Sequence, residues 1–463
     1  MSTEQAVFDI TRFIDTRKMN WVNAKIAIFC FFVVLFDGYD IGAVSYAGPS
    51  LVKEWGLTNM IALGTAFSAG LFGILFGSLM FGWIGDRYGR NKAIVYSLLV
   101  MGVFSLATMA AGSLTQLIAL RFLTGLGLGG LLPNPIALNA EFAPKRHRAT
   151  MIIVSFCGIT LGGAVPGPVA AWLVPNYGWE ILFFIGGVAP ILLALLAIVW
   201  LPESIKYLVV RTNRRDAIIK TLQQMDPTLS FGASTRFVVA NEKVYAAFKP
   251  QELFADGLHV ITPLLWLLFI CTLMTFFFVN SWLPIVLTSA HFTGTQAALM
   301  TSVFQAAGTI GGLTTCWPID KYGFIPLSII YLFALIVTPL IGFASGTEWV
   351  LVLVVFLSGY TLFSLQFGIN ATSAMIYPTS IRSNGSGWAF GIGRFGAIAG
   401  PVAAGVLIGM HLSIQYLFLF LAIPMTIATI ASIILARLYY VRFQGSGLGR
   451  REAMEGAAAA GDD

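Results

Sequence analysis

About twelve apolar stretches, each roughly 20 residues long, follow one another along the chain and are joined mostly by short polar connections. Such a stretch is expected to cross a bilayer as a helix, because hydrocarbon offers the backbone no other hydrogen-bond partners. Only 10% of the 463 residues are charged, whereas soluble domains carry about 25%. We therefore predict an all-α polytopic membrane protein, with spans near 24–46, 60–84, 93–112, 115–140, 150–174, 179–201, 260–284, 295–317, 325–344, 349–375, 386–409 and 414–437.

The order of these stretches predicts two six-helix bundles. One long hydrophilic segment separates the first six apolar stretches from the last six. The predicted divisions are an N-terminal six-helix bundle over 1–201, a cytoplasmic central loop over 202–258, a C-terminal six-helix bundle over 259–438 and a cytoplasmic tail over 439–463. Amphipathic segments of the loop, such as Glu203 to Val210, are expected to lie along the membrane surface.

The basic residues predict the orientation of the chain. With both termini inside, every Lys and Arg except Lys53, Arg121 and Arg394 falls on the cytoplasmic side, as the positive-inside rule requires. We expect a multi-pass protein of the bacterial cytoplasmic (inner) membrane with both termini in the cytoplasm. A net charge of +6 can also indicate nucleic-acid binding, but these basic residues flank apolar spans and form no contiguous polar domain, so we exclude it.

A repeat relates the two halves at a constant offset of 234 residues. The segment Asp86 to Gly89 follows the second apolar stretch, and Asp320 to Gly323 follows the eighth. Several matches at one offset, in equivalent topological positions, indicate duplication of a six-helix unit and hence two pseudo-symmetric bundles. The further matched pairs are Pro144 with Pro378, Arg148 with Arg382, Gly125 with Gly359 and Gly162 with Gly396.

Three segments of the N-terminal half resemble signatures of the major facilitator superfamily. Gly82 to Arg90 resembles its loop signature between helices two and three, and Gly163 to Pro168 resembles its glycine-rich helix five. Arg121 followed by Gly125 and Gly129 resembles the signature of helix four. The resemblance covers essentially the whole chain and implies a twelve-helix transporter that works by alternating access. A dinucleotide-binding interpretation of the helix-four glycines fails, because no strand precedes them.

Two acids in the first apolar stretch are candidates for proton coupling. Asp37 and Asp40 are three residues apart, which places both carboxylates on one face of a helix. Ionised carboxylates at membrane depth are costly and should face a cavity or a partner. Their mutual repulsion and the low dielectric favour proton uptake by one of them near neutral pH. The alternatives are a structural ion pair and helix-end capping.

Two arginines inside apolar stretches are candidates for binding a substrate carboxylate, which a guanidinium can hold with two hydrogen bonds. Helix one runs outward and helix four inward, so Asp40 and Arg121 both lie roughly 9 Å below the outer surface. A contact of Arg121 with Asp40 or Asp37 is consistent with this placement, and a purely structural arginine is the alternative. Arg394 either contacts substrate or orders the inner gate, and both interpretations remain open.

Polar residues at the inner ends of helices form a candidate gate. Contacts between the halves that break during alternating access would use such charged groups. The alternative is a solvated positive-inside loop, which suits Lys145 and Arg146 better. The candidate gating residues are Asp86, Arg87, Arg90, Glu141, Arg148 and Arg382.

Further polar and aromatic side chains inside the spans are candidates for the wall of a substrate site. In a chain with 13% aromatic residues, any one aromatic is more often a core or lipid-facing residue. The candidates are Asn280, Gln305, Gln366, Asn370, Tyr39 and Tyr46.

Within the superfamily, the chain most resembles the aromatic acid:H⁺ symporters. The shared elements are the Asp-Gly-x-Asp pattern of Asp37 to Asp40 and the segment Tyr377 to Gly385, which runs into Gly391 to Arg394. Sugar porters resemble this chain at Leu201 to Ser204. They carry an Arg-Arg cluster in the loop between helices eight and nine, however, and the corresponding segment Asp320 to Phe324 lacks it. The resemblance implies uptake of benzoate-like or hydroxybenzoate-like anions with protons. The functional positions that it implies are Asp37, Asp40, Asp86, Arg121, Glu141, Arg382 and Arg394.

This interpretation carries further expectations about partners. We expect a monomer in the lipid bilayer that takes a small aromatic carboxylate, with the proton as coupling ion and no other cofactor or metal. The four cysteines show no metal-site or disulfide spacing, and no nucleophile–base constellation indicates an enzyme. The alternatives are an efflux antiporter of organic acids or drugs, a symporter of another organic anion, and a transporter-like sensor.

Overall fold

Helices make up most of the chain, in keeping with the length of its apolar stretches. The computed structural model describes residues 7–212, 214–232, 235–239, 250–255, 258–344, 347–377 and 381–443, without the side chains of residues 149, 316, 320, 374, 383, 442 and 443. Pro378 of the repeat, parts of the predicted central loop and most of the predicted tail lie outside the described residues.

The described residues of the predicted N-terminal half and central loop form eleven α-helices and two short strands. In chain order they are β1 (Val7–Asp9), α1 (Ile10–Thr16), α2 (Trp21–Glu54), α3 (Met60–Tyr88), α4 (Arg90–Thr108), α5 (Leu114–Leu128), α6 (Pro133–Phe142), α7 (Arg148–Ala164), α8 (Pro166–Tyr177), α9 (Glu180–Trp200), α10 (Ile205–Tyr207), a π-helical segment (Leu208–Thr212), α11 (Arg215–Met225), β2 (Arg236–Val238) and a 3-10 turn (Pro250–Phe254).

The second half contains seven helices among its described residues. They are α12 (Leu258–Ser289), α13 (Gly294–Tyr322), α14 (Phe324–Leu340), α15 (Glu348–Ile376), α16 (Arg382–Gly409), α17 (Ile414–Leu419) and α18 (Ala422–Phe443).

Ten helical segments of the described chain are long and apolar enough to cross a membrane. Two further helices complete the predicted order: α14 is apolar but shorter, and α13 is 29 residues long. The fourth, fifth and twelfth predicted spans are each built from two consecutive helices, α5 with α6, α7 with α8 and α17 with α18. The polytopic all-helical fold predicted from the apolar stretches is confirmed, with twelve helical positions.

By its internal contacts the chain divides into two compact units. The first unit comprises residues 1–43, 72–163 and 180–244, and the second comprises 44–71, 164–179 and 245–463. The boundaries cut through α2 and α3 and fall at the junction of α7 and α8. The division into bundles at 1–201 and 259–438 stays a prediction.

A close helix crossing recurs in both units and supports the duplication. In the first unit, a Cβ atom on Gly162 of α7 would overlap the carbonyl oxygen of Leu35 in α2. In the second, a Cβ atom on Gly396 of α16 would overlap the carbonyl oxygen of Ile270 in α12. The two glycines are a pair of the sequence repeat, and each lets two helix backbones meet.

The α2–α7 crossing also fixes the two acids of α2. A Cβ atom on Gly38, which lies between Asp37 and Asp40, would overlap the carbonyl oxygen of Ile159 in α7. Only a residue without a side chain lets the backbones approach this closely. The crossing therefore sets the position of both carboxylates.

Replacing Gly38 by Ala is expected to destabilise the protein by about 1–3 kcal/mol, because α2 and α7 must separate to admit the methyl group. Thermal unfolding of the purified variant measures this loss of stability. The matched control is Gly387→Ala in α16, where a Cβ atom meets nothing within 4 Å. Equal melting temperatures for the two variants would contradict this account of the crossing.

A small substructure outside the spans ties the start of the chain to the predicted central loop. Strand β1 pairs in parallel with β2, and Phe8 packs against Phe231 and Phe237. Asp9 caps α1 by accepting from the backbone N–H groups of Thr11 and Arg12. The prediction of a loop lying along the membrane surface missed this pairing, because three-residue strands carry no readable periodicity.

Candidate functional site

A buried ion pair joins α2 to α5 in the first unit. Asp40 is 0% exposed and Arg121 is 2% exposed. The Nη1 atom of Arg121 donates to Oδ1 of Asp40 at 3.2 Å, and Nη2 donates to Oδ2. Ser105 Oγ donates to the same Oδ1 at 3.5 Å. The guanidinium thus holds the carboxylate through both of its oxygens, the strongest geometry for such a pair.

Two buried aromatic side chains, Phe183 and Tyr39, lie near the pair. The guanidinium carbon of Arg121 lies 5.7 Å from the ring centroid of Phe183. Tyr39, which precedes Asp40 in the sequence, is buried, and its hydroxyl donates to the carbonyl of Leu182 at 3.1 Å. Removing either partner would leave a charge without compensation in this low-dielectric setting, which costs several kcal/mol.

Two details of this site bear on chemistry. Among the described residues, Nε of Arg121 is buried without a hydrogen-bond partner, so its N–H group is an unused donor of the guanidinium. Asp37 lies one turn before Asp40 and is 6% exposed. Of the two contacts considered from sequence, the structure contains the ion pair of Arg121 with Asp40. The functional roles of Asp37, Asp40 and Arg121 stay predictions.

Candidate substrate-wall residues of the second unit form two groups. Gln305 Nε2 donates to Asn280 Oδ1 at 2.6 Å, and both amides are buried. Asn370 Nδ2 donates to the carbonyl of Gln366 at 2.9 Å, one turn earlier on α15. Tyr46 is also in this unit, with its hydroxyl 3.4 Å from Ser302 Oγ. The amide pair and the amides of α15 are thus internal contacts of the second unit.

An aromatic cluster that the sequence did not single out adjoins the buried amide pair. Phe276 lies one turn before Asn280, and Phe304 precedes Gln305. The ring centroids of Phe276 and Phe363 are 4.7 Å apart in an edge-to-face arrangement, and those of Phe304 and Phe363 are 5.8 Å apart. In a chain with 37 phenylalanines, no sequence signal separates these three from the rest.

The two candidate cations of α16 lie in the second unit. The guanidinium carbon of Arg394 is 4.6 Å from the ring centroid of Phe390, and the side chain is half-buried. Arg382 opens the helix, and its Nε donates to the carbonyl of Tyr377 at 3.5 Å. Neither contact decides between substrate binding and gating.

The remaining gating candidates make contacts inside the first unit. Arg90 Nη2 donates to Asp86 Oδ1 at 2.5 Å, and Arg90 Nη1 donates to Asn134 Oδ1 at 3.2 Å. Arg87 is exposed and lies over the Trp83 and Tyr88 rings. Two partners were not anticipated: Ser204 donates to Glu141, and Asp15 of α1 accepts from Arg148 at 2.6 Å.

Glu203 joins this network, although from sequence it was only the start of an amphipathic segment and part of a feature shared with sugar porters. Its Oε1 accepts from the backbone N–H groups of Asn91 at 3.1 Å and Ser204 at 2.9 Å. Gly89, whose φ is 110°, leaves room for this carboxylate, because a Cβ atom there would overlap it. Burial raises the pKa of Glu203, although these two N–H groups and the charge of Lys92 lower it.

Replacing Glu203 by Gln is expected to change how stability depends on pH. A carboxyl whose pKa is raised in the folded state binds more protons folded than unfolded, so its contribution falls as pH rises from about 4.5 through the raised value. The melting temperature of the wild type should therefore drop relative to Glu203→Gln between pH 5 and 8. Thermal melts of both proteins across this range measure the difference, and a constant difference would contradict a raised pKa.

Comparisons with known proteins agree with this architecture. A family model described as Major Facilitator Superfamily matches residues 30–374 and 265–453. The 4-hydroxybenzoate transporter PcaK of Pseudomonas putida is 36% identical over 430 residues, which are 92% of this chain and 95% of the relative. The gallate transporter of Pseudomonas putida is 33% identical over 92% of this chain and 94% of its own length. The predicted resemblance to aromatic-acid transporters is confirmed.

Solved structures share the fold at low identity. The D-xylose-proton symporter superposes with a TM-score of 0.69 at 16% identity, over 89% of this chain and 97% of that one. A bacterial homolog to the human lysosomal transporter Spinster gives 0.66 at 14% identity, over 92% and 97%. The matched family and the relatives above are transporters, which confirms the expectation that the chain is not an enzyme. By family model, relatives and fold, the chain belongs to the Major Facilitator Superfamily.

Proposed function

We propose that the protein takes up a small aromatic carboxylate, of the benzoate or hydroxybenzoate type, together with protons by alternating access. The observation that carries this proposal is the buried Asp40–Arg121 pair, which unites a group that can take up a proton with a group that can bind a carboxylate. We further propose a monomer in the bacterial cytoplasmic membrane, with both termini in the cytoplasm.

Charge balance explains how the pair would couple the two ligands. Ionised Asp40 and Arg121 together carry no net charge. A proton on Asp40 would leave the guanidinium uncompensated, and a carboxylate alone would leave an excess negative charge, and both states are costly when buried. Proton and substrate carboxylate together restore neutrality. The unused Nε donor of Arg121 supports this role, because the released guanidinium could hold the new carboxylate with two hydrogen bonds.

The aromatic part of the substrate is supported by two observations. The relatives are named as transporters of 4-hydroxybenzoate and gallate, which are aromatic acids with ring hydroxyl groups. In the second unit, the buried amides of Asn280 and Gln305 adjoin the phenylalanine cluster. Phenylalanine rings suit an aromatic ring, and amides suit its hydroxyl groups. Asp37, Arg394 and the remaining polar candidates stay proposed contributors to coupling, binding or gating.

Uptake by the purified protein in proteoliposomes tests the proposal. With an acidic outside, radiolabelled 4-hydroxybenzoate should accumulate, and a protonophore should abolish the accumulation. Unlabelled benzoate and gallate should compete, whereas xylose at the same concentration should not. Proton-driven accumulation of a non-aromatic anion alone would overturn the substrate class. Proton-driven accumulation in inside-out vesicles with an acidic lumen, without accumulation in right-side-out vesicles, would establish the efflux alternative.

A further inference from the structure

A basic cavity lies in the first unit, apart from the buried ion pair. It measures about 380 Å³ and lies among the starts of α2 and α4, the end of α9 and the segment that leads through α11. This volume falls within the range of about 300–1,000 Å³ that is usual for ligand pockets. Four cationic side chains line it: Lys25, Lys92, Arg214 and Lys220.

The positive charge of this cavity is poorly compensated. Within the described parts of the chain, none of the four cations forms an ion pair. The carboxylate that lines the cavity belongs to Glu203, whose Oε1 already accepts from two backbone N–H groups. Lys25 lies over the Trp200 ring at 4.8 Å from its centroid. Four cations around one space repel each other, so an anion there would be held by all of them.

The position of the cavity along α9 points to the membrane surface. Trp200 ends this span and is 50% exposed, and the preceding Val199 is 81% exposed. Tryptophan is enriched where a span meets the headgroup layer, and exposed apolar side chains of a span face acyl chains. The mouth of the cavity therefore combines cations at headgroup level with an apolar surface beside them.

We propose that this cavity binds the phosphate headgroup of an anionic phospholipid, such as phosphatidylglycerol. Basic pockets beside transmembrane helices on the cytoplasmic side hold such headgroups. The inference rests on the proposed orientation, which places this end of the spans in the cytoplasm, and it is independent of the transported substrate. The exposed Val199 and Trp200 favour a lipid over a free phosphate, because they offer contacts to its acyl chains.

The segment that carries two of the cations is fixed to the spans. Asn20 Nδ2 donates to the carbonyl of Met225 at the end of α11 at 2.8 Å. Arg17 Nη2 forms an ion pair with Asp226 Oδ2 at 3.3 Å. A bound headgroup would add a third connection between α11 and the spans, through Lys220 and Lys25. Lipid binding should therefore stabilise the folded protein as well as occupy the cavity.

Lipid binding to the full-length protein in detergent, followed by native mass spectrometry, tests the proposal. Arg214→Gln with Lys220→Gln removes two exposed cations from the cavity. The affinity for phosphatidylglycerol should fall about 20- to 30-fold, since each cation near an anionic lipid is worth about 1 kcal/mol, or about fivefold. Lys145→Gln with Arg146→Gln removes two exposed cations elsewhere and should change the affinity by less than about twofold.

Three further measurements decide the outcome. Lys25→Gln with Lys92→Gln should weaken binding as strongly as the first pair, and unchanged affinity in both pairs would overturn the site. Equal binding of zwitterionic phosphatidylcholine would overturn its preference for anions. Displacement by millimolar inorganic phosphate would show an anion site that needs no lipid. Unchanged elution volume and far-ultraviolet circular dichroism establish that each variant is folded. The binding results do not depend on transport, so a failure to take up aromatic acids would leave them unaffected.

Discussion

Replacing Arg121 by Ala is expected to destabilise the protein by about 3–5 kcal/mol and to abolish uptake. The substitution leaves the fully buried Asp40 carboxylate without its counter-charge, and a buried charge that loses its partner is strongly destabilising. Reversible unfolding in mixed detergent measures the loss of stability, and the proteoliposome assay measures uptake. Arg12→Ala is the matched control, because it removes an exposed guanidinium and should change stability by less than about 0.5 kcal/mol.

A second variant separates the structural part of this effect from the functional part. Combining Arg121→Gln with Asp40→Asn replaces the ion pair by two neutral amides of similar size. The double variant should regain most of the lost stability, because no buried charge is left uncompensated, but it should not regain uptake. If Arg121→Ala unfolds like the control, the pair contributes little to folding. If the double variant transports with proton coupling, the pair is not the coupling site.

Replacing Asp40 by Asn, or Asp37 by Asn, is expected to abolish proton-driven accumulation. An amide cannot take up the coupling proton. A pH difference of one unit can drive an accumulation of about tenfold when one proton accompanies each substrate, and in the variants this ratio should fall to about one. Asp216→Asn, an exposed carboxylate on α11, serves as the control and should accumulate like the wild type.

Substrate exchange distinguishes a coupling defect from a misfolded protein. In Asp40→Asn, the uncompensated Arg121 should still bind the aromatic carboxylate, so exchange of labelled for unlabelled substrate without a gradient should persist. Loss of both exchange and accumulation would indicate damage to binding rather than to coupling. Full accumulation in both single variants would rule out these two acids as the proton carriers.

The apolar stretches were sufficient to predict the helical architecture, because each had to satisfy its backbone within itself. They did not predict where a span would consist of two helices. Pro133 and Pro166 stand at the starts of α6 and α8, where a proline removes a backbone donor that the preceding helix would need. Proline at these positions was a readable signal. Pro190 and Pro284, however, lie within α9 and α12, so proline alone does not fix a break.

The candidate site was only partly predictable. The sequence made Arg121 a candidate partner of Asp40 or Asp37, because charged groups at equal membrane depth need partners. Their hydrogen bonds, the unused Nε donor and the Phe276 cluster depend on side-chain packing, which no single sequence pattern encodes. Asp15 as the partner of Arg148 depends on how α1 folds against the start of α7. That contact joins residues far apart in sequence that belong to no common motif.

The pairing of β1 with β2 has a consequence for synthesis of the chain. Val7 pairs with Arg236, so the first strand must wait for its partner while the intervening apolar helices are made. At about 5–20 residues per second, that wait is about 10–50 s. In the proposed orientation, the strand presents unpaired backbone groups to the cytoplasm during this time. The two strands can therefore pair only after the first six spans have left the ribosome.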